Sequence, residues 1–107
     1  MKKTTKVWQT RYHDIDIVVE NGWNLGQTEE KIQINGKTVY QYHGAINALG
    51  RYLEFREGDT KITVKLGSAW HCCGTACQIL INDVYFYGNK IVLFSRSSTS
   101  KLPEYDE

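Results

Sequence analysis

Hydrophobic and polar positions alternate with a period of two along most of the chain, and helical spacing hardly appears. The segment 14–20 places Ile15, Ile17 and Val19 on one face, and the segment 61–66 alternates more cleanly still. Such alternation is typical of a strand that buries one side. It predicts a chain of short β-strands.

A two-residue loop at Gly58-Asp59 tests this pattern, because a hairpin loop of known length decides which side chains share a face. The loop sets Phe55 opposite Ile62 and Leu53 opposite Val64, so the two apolar faces coincide. The sequence therefore predicts a hairpin here.

A loop at Asn82-Asp83 sets Ile79 opposite Phe86, and a return at Gly88-Asn89 would complete a three-stranded meander over residues 77–94. The face opposite its core side is unusually apolar for a solvated surface, and we expect it to need a cover. That face would hold Gln78, Leu80, Tyr85, Tyr87, Val92 and Phe94.

The turn at residues 35–37 has two interpretations. A two-residue loop groups Val39 with the two preceding isoleucines, whereas a three-residue loop with a bulge groups Tyr40 and Tyr42 with them. The second is favoured because it makes one continuous apolar face, and the choice stays open. A weak echo between IQINGKTVYQYHG and ILINDVYFYG hints at two related hairpins.

About eight or nine short strands joined by hairpins predict an all-β fold, either an antiparallel β-sandwich or a flattened barrel. The alternation breaks at residues 21–28, 43–50 and 67–75, and no linker divides the chain. We expect one domain over residues 1–95 and a mobile C-terminal tail over 96–107.

The 107 residues carry a net charge of +1, so no basic excess points to nucleic acid. No apolar run is long enough to span a membrane, and no apolar region of a signal peptide follows the opening lysines. The cysteine count is odd and clustered, which makes a poor disulfide framework. We expect a soluble cytoplasmic protein.

The densest reactive cluster is His71, Cys72, Cys73 and Cys77. Thiolates and imidazole suit zinc, but zinc modules generally show two separated ligand pairs, so a fourth ligand would have to come from His43, His13 or a carboxylate elsewhere. The favoured interpretation is buried small cysteines, with no cofactor and with zinc as the alternative. The standard phosphate-loop, hydrolase and metalloprotease motifs are absent from the sequence, which favours a protein that is not an enzyme.

Aromatic side chains are the other candidates for a site. Trp23 and Trp70 lie in Gly-flanked irregular segments, where an indole can stack on a sugar or anchor a protein. The candidate binding residues are Trp23, Trp70, His71, Tyr85, Tyr87 and Phe94.

The order of short strands, the IQINGKTVY hairpin and the later ILIND hairpin resemble the β-sandwich of the Fas apoptotic inhibitory molecule family. That resemblance implies a non-enzymatic interaction domain and carries over no site residues. The chain departs from the family in its HCCGTAC cluster and in having one domain's length.

The sequence thus predicts a non-catalytic binding or interaction module that uses loop aromatics or an exposed apolar sheet face. Its partner would be a protein or a small ligand such as a carbohydrate, with no nucleic acid and no membrane. Two alternatives stay open: a metal- or thiol-dependent protein using the cysteine cluster, and a structural subunit of a homo- or hetero-assembly.

Overall fold

A computed structural model describes residues 4–24, 26–45, 50–68 and 75–92. The predicted all-β antiparallel class is confirmed, because these residues form eight strands in two separate hydrogen-bonded sheets rather than one closed barrel. Sheet 1 has the order β1-β2-β3-β4 and sheet 2 the order β5-β6-β7-β8. The strands are β1 Thr4–Tyr12, β2 Ile15–Asn24, β3 Gln27–Ile34, β4 Lys37–Ala45, β5 Arg51–Glu57, β6 Thr60–Ser68, β7 Thr75–Ile81 and β8 Val84–Gly88.

The chain divides into two compact units, Met1–Asn47 and Ala48–Glu107, and each holds one sheet. The single domain expected over 1–95 stays a prediction, and the tail expected over 96–107 lies outside the described residues. The described part of the chain contains no helix of the length and apolar character needed to cross a bilayer.

Sheet 1 buries one face and exposes the other, as the alternation of segment 14–20 predicts. The predicted break at residues 21–28 does contain a turn, at Gly26, but it is too long, because β2 continues to Asn24 and β3 begins at Gln27. Trp23 therefore lies in a strand, paired with Thr4 on one side and Thr28 on the other. The buried apolar side chains of this sheet are Ile15, Ile17, Val19, Ile32 and Ile34.

The β3–β4 loop has two residues, Asn35 and Gly36, with φ values of 51° and 79°. Both positive values are typical of a type I′ turn, so the favoured three-residue loop is wrong. The bulge lies further along instead: Val39 has no partner on β3, and Tyr40 pairs with Ile32. A bulge adds one residue to one strand. Here the extra residue places Tyr40 on the face of the buried isoleucines, the same grouping that the favoured three-residue loop would have produced.

In sheet 2 the β5–β6 hairpin is confirmed in full. Phe55 pairs with Ile62 and Leu53 with Val64 across a Gly58-Asp59 loop. On the other face Lys61 Nζ lies 2.9 Å from Asp83 Oδ1 and 3.0 Å from Glu54 Oε2. These two hydrogen-bonded carboxylates, Asp83 first, raise the pKa of Lys61.

The Asn82-Asp83 turn is confirmed, with Ile81 opposite Val84 and both turn residues at positive φ. Two other features of the predicted meander are wrong. A bulge at Phe86 places Tyr87, not Phe86, opposite Ile79, and β8 ends at Gly88 with no strand in residues 89–92. A bulge shifts every following side chain by one position, which alternation alone does not reveal.

The central strands of sheet 2 are buried on both faces, and every residue from Ala76 to Ile81 is buried. Leu80 is 4% exposed and Val92 is fully buried, so the apolar side of the predicted meander is not an open surface there. Even Lys65 is fully buried, with its Nζ 5.5 Å from the Tyr52 ring centroid. A buried ammonium that contacts an aromatic face is consistent with cation–π stabilisation.

The two units repeat one plan, which supports the weak sequence echo. The Asn35 N–H donates to Asp16 O (2.9 Å), and the Asp16 N–H donates to Asn35 Oδ1 (2.8 Å). Asn82 makes the same pair of bonds with Lys61, at 2.8 and 3.0 Å. In each unit the turn asparagine is therefore hydrogen-bonded to the strand beside its own hairpin, which is β2 for Asn35 and β6 for Asn82. A bulge then follows in the last strand of each unit, β4 and β8.

Candidate functional site

The aromatic candidates do not form one surface in the described structure. Trp23 is half-buried in β2, on the same face as Ile17 and Val19. In sheet 2, Tyr85 is half-buried and donates to Gly88 O at 2.7 Å, while Tyr87 is 38% exposed. The bulge puts these two tyrosines on opposite faces of sheet 2, because Tyr85 pairs with Leu80 and Tyr87 pairs with Ile79. Trp70, His71 and Phe94 lie outside the described residues.

Cys77 is the one described member of the cysteine cluster, since His71, Cys72 and Cys73 lie outside the described residues. It is a fully buried free cysteine in β7, paired with Leu66. Burial raises the pKa of its thiol, so it stays protonated and unreactive in the folded state. Within the described ranges no three His, Cys, Asp or Glu side chains are placed to hold a metal ion. The zinc alternative stays a prediction.

The exposed face of sheet 1 contains a concavity of about 210 Å³, here called the outer groove. One row of paired residues crosses all four strands at its centre: Thr5 with Gly22, Gly22 with Glu29, and Glu29 with His43. The complete lining is Thr5, Glu20, Gly22, Glu29, Lys31, Gln41, Tyr42 and His43.

Gly22 creates the low point of the outer groove. It lies inside β2, paired with Thr5 and Glu29, and is not among the glycines at positive φ. The backbone conformation therefore does not require glycine, although glycine inside a strand costs stability. A glycine inside a strand often marks a bulge, a tight bend, or the close approach of a ligand or another backbone, and the pairing of β2 with β1 and β3 shows no bulge at Gly22.

Charges of both signs surround this low point. His43 Nε2 lies 3.6 Å from Glu29 Oε2, and both side chains are largely exposed, at 67% and 47%. Glu20 and Lys31 are directly opposite each other in the next row. Exposed pairs of this kind contribute little to stability, so they can rearrange to hydrogen-bond or neutralise a ligand at small cost.

A polar pair also lies on the buried face of the same strands. Asn21 is 3% exposed and Glu30 is 7% exposed, and the two are cross-strand partners. Glu30 accepts a hydrogen bond from the Tyr40 hydroxyl at 2.8 Å, whereas Asn21 Oδ1 has no hydrogen-bond partner among the described residues. A buried acceptor without a partner lowers stability.

Sequence reasoning did not place a site at the outer groove. It named His43 only as one source of a fourth zinc ligand. Gly22 was a useful signal. If the alternation of segment 14–20 is continued, position 22 should carry an outward-facing side chain, and a glycine stands there instead. The row itself depends on the register of four strands.

Comparison of the chain with protein-family models, with curated proteins and with solved structures gives no significant match. The resemblance to the Fas apoptotic inhibitory molecule family therefore stays a prediction.

Proposed function

We propose that this chain is a non-catalytic binding module and that the outer groove is its binding site. The observation that carries the proposal is Gly22, a buried glycine in the lining of the groove, where β2 presents no side chain to the exposed sheet face. The groove offers carboxylates, an ammonium, an imidazole and an amide around that gap, which suits a polar ligand.

The proposal retains the predicted class of function and moves its location. The sequence pointed to loop aromatics or to the apolar face of the last sheet. Trp23 belongs to a strand and Leu80 is buried, so neither offers the surface that was expected. The outward face of sheet 1 is accessible to solvent and contains a concavity, the outer groove.

A panel of small polar fragments, comprising carboxylates, amines, amides and carbohydrates, tests the proposal by amide shift mapping of the full ¹⁵N-labelled chain. We expect shifts at Gly22, Glu29, Lys31 and His43. The Gly22→Val variant fills the gap with a residue that favours strands, and it should lose these shifts. Gln33→Val is the matched control, because it adds the same side chain to the same exposed face outside the groove lining.

Two results would contradict the proposal: fragment shifts that map away from the groove, or groove shifts that survive Gly22→Val in a folded protein. A cytoplasmic location and the lack of a cofactor are parts of the same proposal. Cell fractionation tests the first, and elemental analysis for stoichiometric zinc tests the second.

A further inference from the structure

We propose that the chain forms a homodimer in which the free edge of β1 pairs antiparallel with β1 of a second copy. This pairing joins two four-stranded copies of sheet 1 into one continuous sheet. The dimer does not depend on the proposed function, and it adds one residue of the second copy to each outer groove.

Among the described residues, β1 is the edge strand with the least protection against pairing. Each of its nine residues pairs with β2, and the strand contains neither a bulge nor a proline. The edge strands β4 and β8 each carry a bulge, and β8 has only five residues. Bulges and short length are devices that keep a sheet edge from pairing with another chain, and β1 has neither.

The hydrogen bonds of β2 show which main-chain groups of β1 are free. The Asp16 main chain bonds to Asn35, on the β3 side, and this direction alternates along an antiparallel strand. Ile17 therefore points toward β1, where it pairs with Thr10. The alternate residues of β1 point away from β2, and no described strand pairs with them. They are Thr5, Val7, Gln9 and Arg11, all exposed.

One register pairs the whole of β1 with itself and puts Trp8 of each copy at the two-fold axis. Val7 then exchanges two main-chain hydrogen bonds with Gln9 of the second copy, and Thr5 does the same with Arg11. The two-fold repeats both pairs, which gives about eight bonds. The two Trp8 side chains lie opposite each other in a pair without hydrogen bonds, where side chains come closest and aromatic pairs stabilise a sheet.

The charges of β1 are compatible with this register. Lys6 lies opposite Thr10 of the second copy and Arg11 lies opposite Thr5, so no like charges face each other directly. The edge strand β5 differs, because pairing it with itself along its whole length puts Glu54 opposite Glu54. Like charges directly opposite each other destabilise a strand pair. The charge pattern therefore favours β1 over β5 as the dimer edge.

The dimer also changes the outer groove. Thr5 is the β1 member of the row that crosses the groove. Arg11 of the second copy lies opposite it and on the same face. Within its own chain Arg11 donates to Asp16 Oδ1 (2.7 Å) and to His13 O (3.0 Å), which positions the guanidinium. Each groove thus gains a guanidinium at its β1 end, which favours a ligand with an anionic group.

Sedimentation equilibrium of the full chain, from micromolar to millimolar concentration, tests the dimer. We expect a dimer that Gln9→Pro weakens by at least about tenfold, because each chain loses one N–H donor from the interface. The Gln9 N–H points to the free edge, so sheet 1 keeps all of its own hydrogen bonds.

Arg56→Pro is the matched control on the other sheet. Arg56 pairs with Lys61, whose main chain bonds to Asn82 on the β7 side, so the Arg56 N–H also points to a free edge. This variant should dimerise like the wild type. Thermal unfolding shows whether each variant is folded.

Cysteine cross-linking tests the register. Opposite Cα atoms of a pair without hydrogen bonds lie about 4.5 Å apart, which a disulfide can span. Trp8→Cys should therefore give a covalent dimer under mild oxidation, with the disulfide at position 8 identified by peptide mass spectrometry. Thr10→Cys should not, because the two copies of that position lie roughly 13 Å apart.

Several results would overturn the inference. One is a chain that stays monomeric to millimolar concentration, and another is a dimer that survives Gln9→Pro in a folded protein. A dimer that Arg56→Pro weakens equally, or a disulfide that forms as readily at position 10 as at position 8, also overturns it. Fragment binding in the groove of a strict monomer would leave the proposed function standing, whereas a dimer whose groove binds no fragment would refute the proposed function alone.

Discussion

Replacing Asn82 with alanine should destabilise the protein by about 2–3 kcal/mol through two separate losses. The first is the hydrogen bond from the Lys61 N–H to Asn82 Oδ1, 3.0 Å long, whose net value is about 0.5–1.5 kcal/mol. The second is the left-handed backbone at φ 51°, which asparagine tolerates and alanine adopts at a cost of about 1–2 kcal/mol.

Three substitutions at this position separate the two losses in urea unfolding followed by circular dichroism. Asn82→Gly removes the acceptor without backbone strain, so it should cost about 1 kcal/mol. Asn82→Asp keeps an acceptor oxygen and the tolerance of positive φ, so it should stay within about 0.5 kcal/mol of the wild type. Alanine should be the worst of the three.

The same series at Asn35 provides the matched comparison, because Asn35 has φ 51° and bonds Asp16 in the same way. The reasoning is refuted if Asn82→Asp is as damaging as Asn82→Ala, since the acceptor would then be irrelevant. It is equally refuted if Asn82→Ala changes the free energy of unfolding by less than about 0.5 kcal/mol.

Four further outcomes are expected. Asn21→Leu should raise the free energy of unfolding by about 1 kcal/mol, because it removes a buried acceptor without a partner; a clear loss in urea unfolding would contradict this. Gly88→Ala should lower it by about 2 kcal/mol or more, because a Cβ there would strike the Cys77 carbonyl and the residue has φ 100°; an unchanged melting temperature would contradict this. Hydrogen bonds to Asp83 first and then to Glu54 raise the pKa of Lys61. The stabilising effect of Lys61 is therefore full below the ordinary lysine pKa and is lost as the pH rises through the raised pKa. Lys61→Met should cost stability at pH 7 and nothing at strongly alkaline pH. Cys77 should resist alkylation in the folded protein and react in urea, as peptide mapping by mass spectrometry would show.

The one hairpin that the sequence predicted in full, β5–β6, has a two-residue loop and no bulge. At Gly58-Asp59 the apolar faces agree in only one register, so alternation and loop length together determine the pairing. The bulges at Val39 and Phe86 left no comparable signal, because an extra residue in a strand has the same composition as its neighbours. The bulge at Phe86 separates Tyr85 from Tyr87, whereas the bulge at Val39 leaves Tyr40 and Tyr42 together on the isoleucine face.

The strand β2 shows a second limit. Residues 21–24 have poor strand propensity, with two asparagines and a glycine, and the sequence predicted a break there. Pairing with β1 on one side and β3 on the other supplies the hydrogen bonds that keep this stretch extended. Tertiary context therefore outweighs local preference at the position that forms the groove.

The outer groove was beyond sequence reasoning for the same physical reason. Its central row takes one residue from each of four strands, and their alignment depends on three loops and one bulge. An error in any of these moves Thr5, Glu29 or His43 out of the row. The chemistry of single residues was visible in the sequence, whereas their proximity was not.

The most direct test of the central claim is the amide shift map of the full chain with the polar fragment panel, recorded in parallel for the wild type, Gly22→Val and Gln33→Val. The account predicts the largest shifts at Gly22, Glu29, Lys31 and His43, their loss in Gly22→Val and their retention in Gln33→Val. Shifts centred elsewhere, or the same map in a folded Gly22→Val protein, would contradict it.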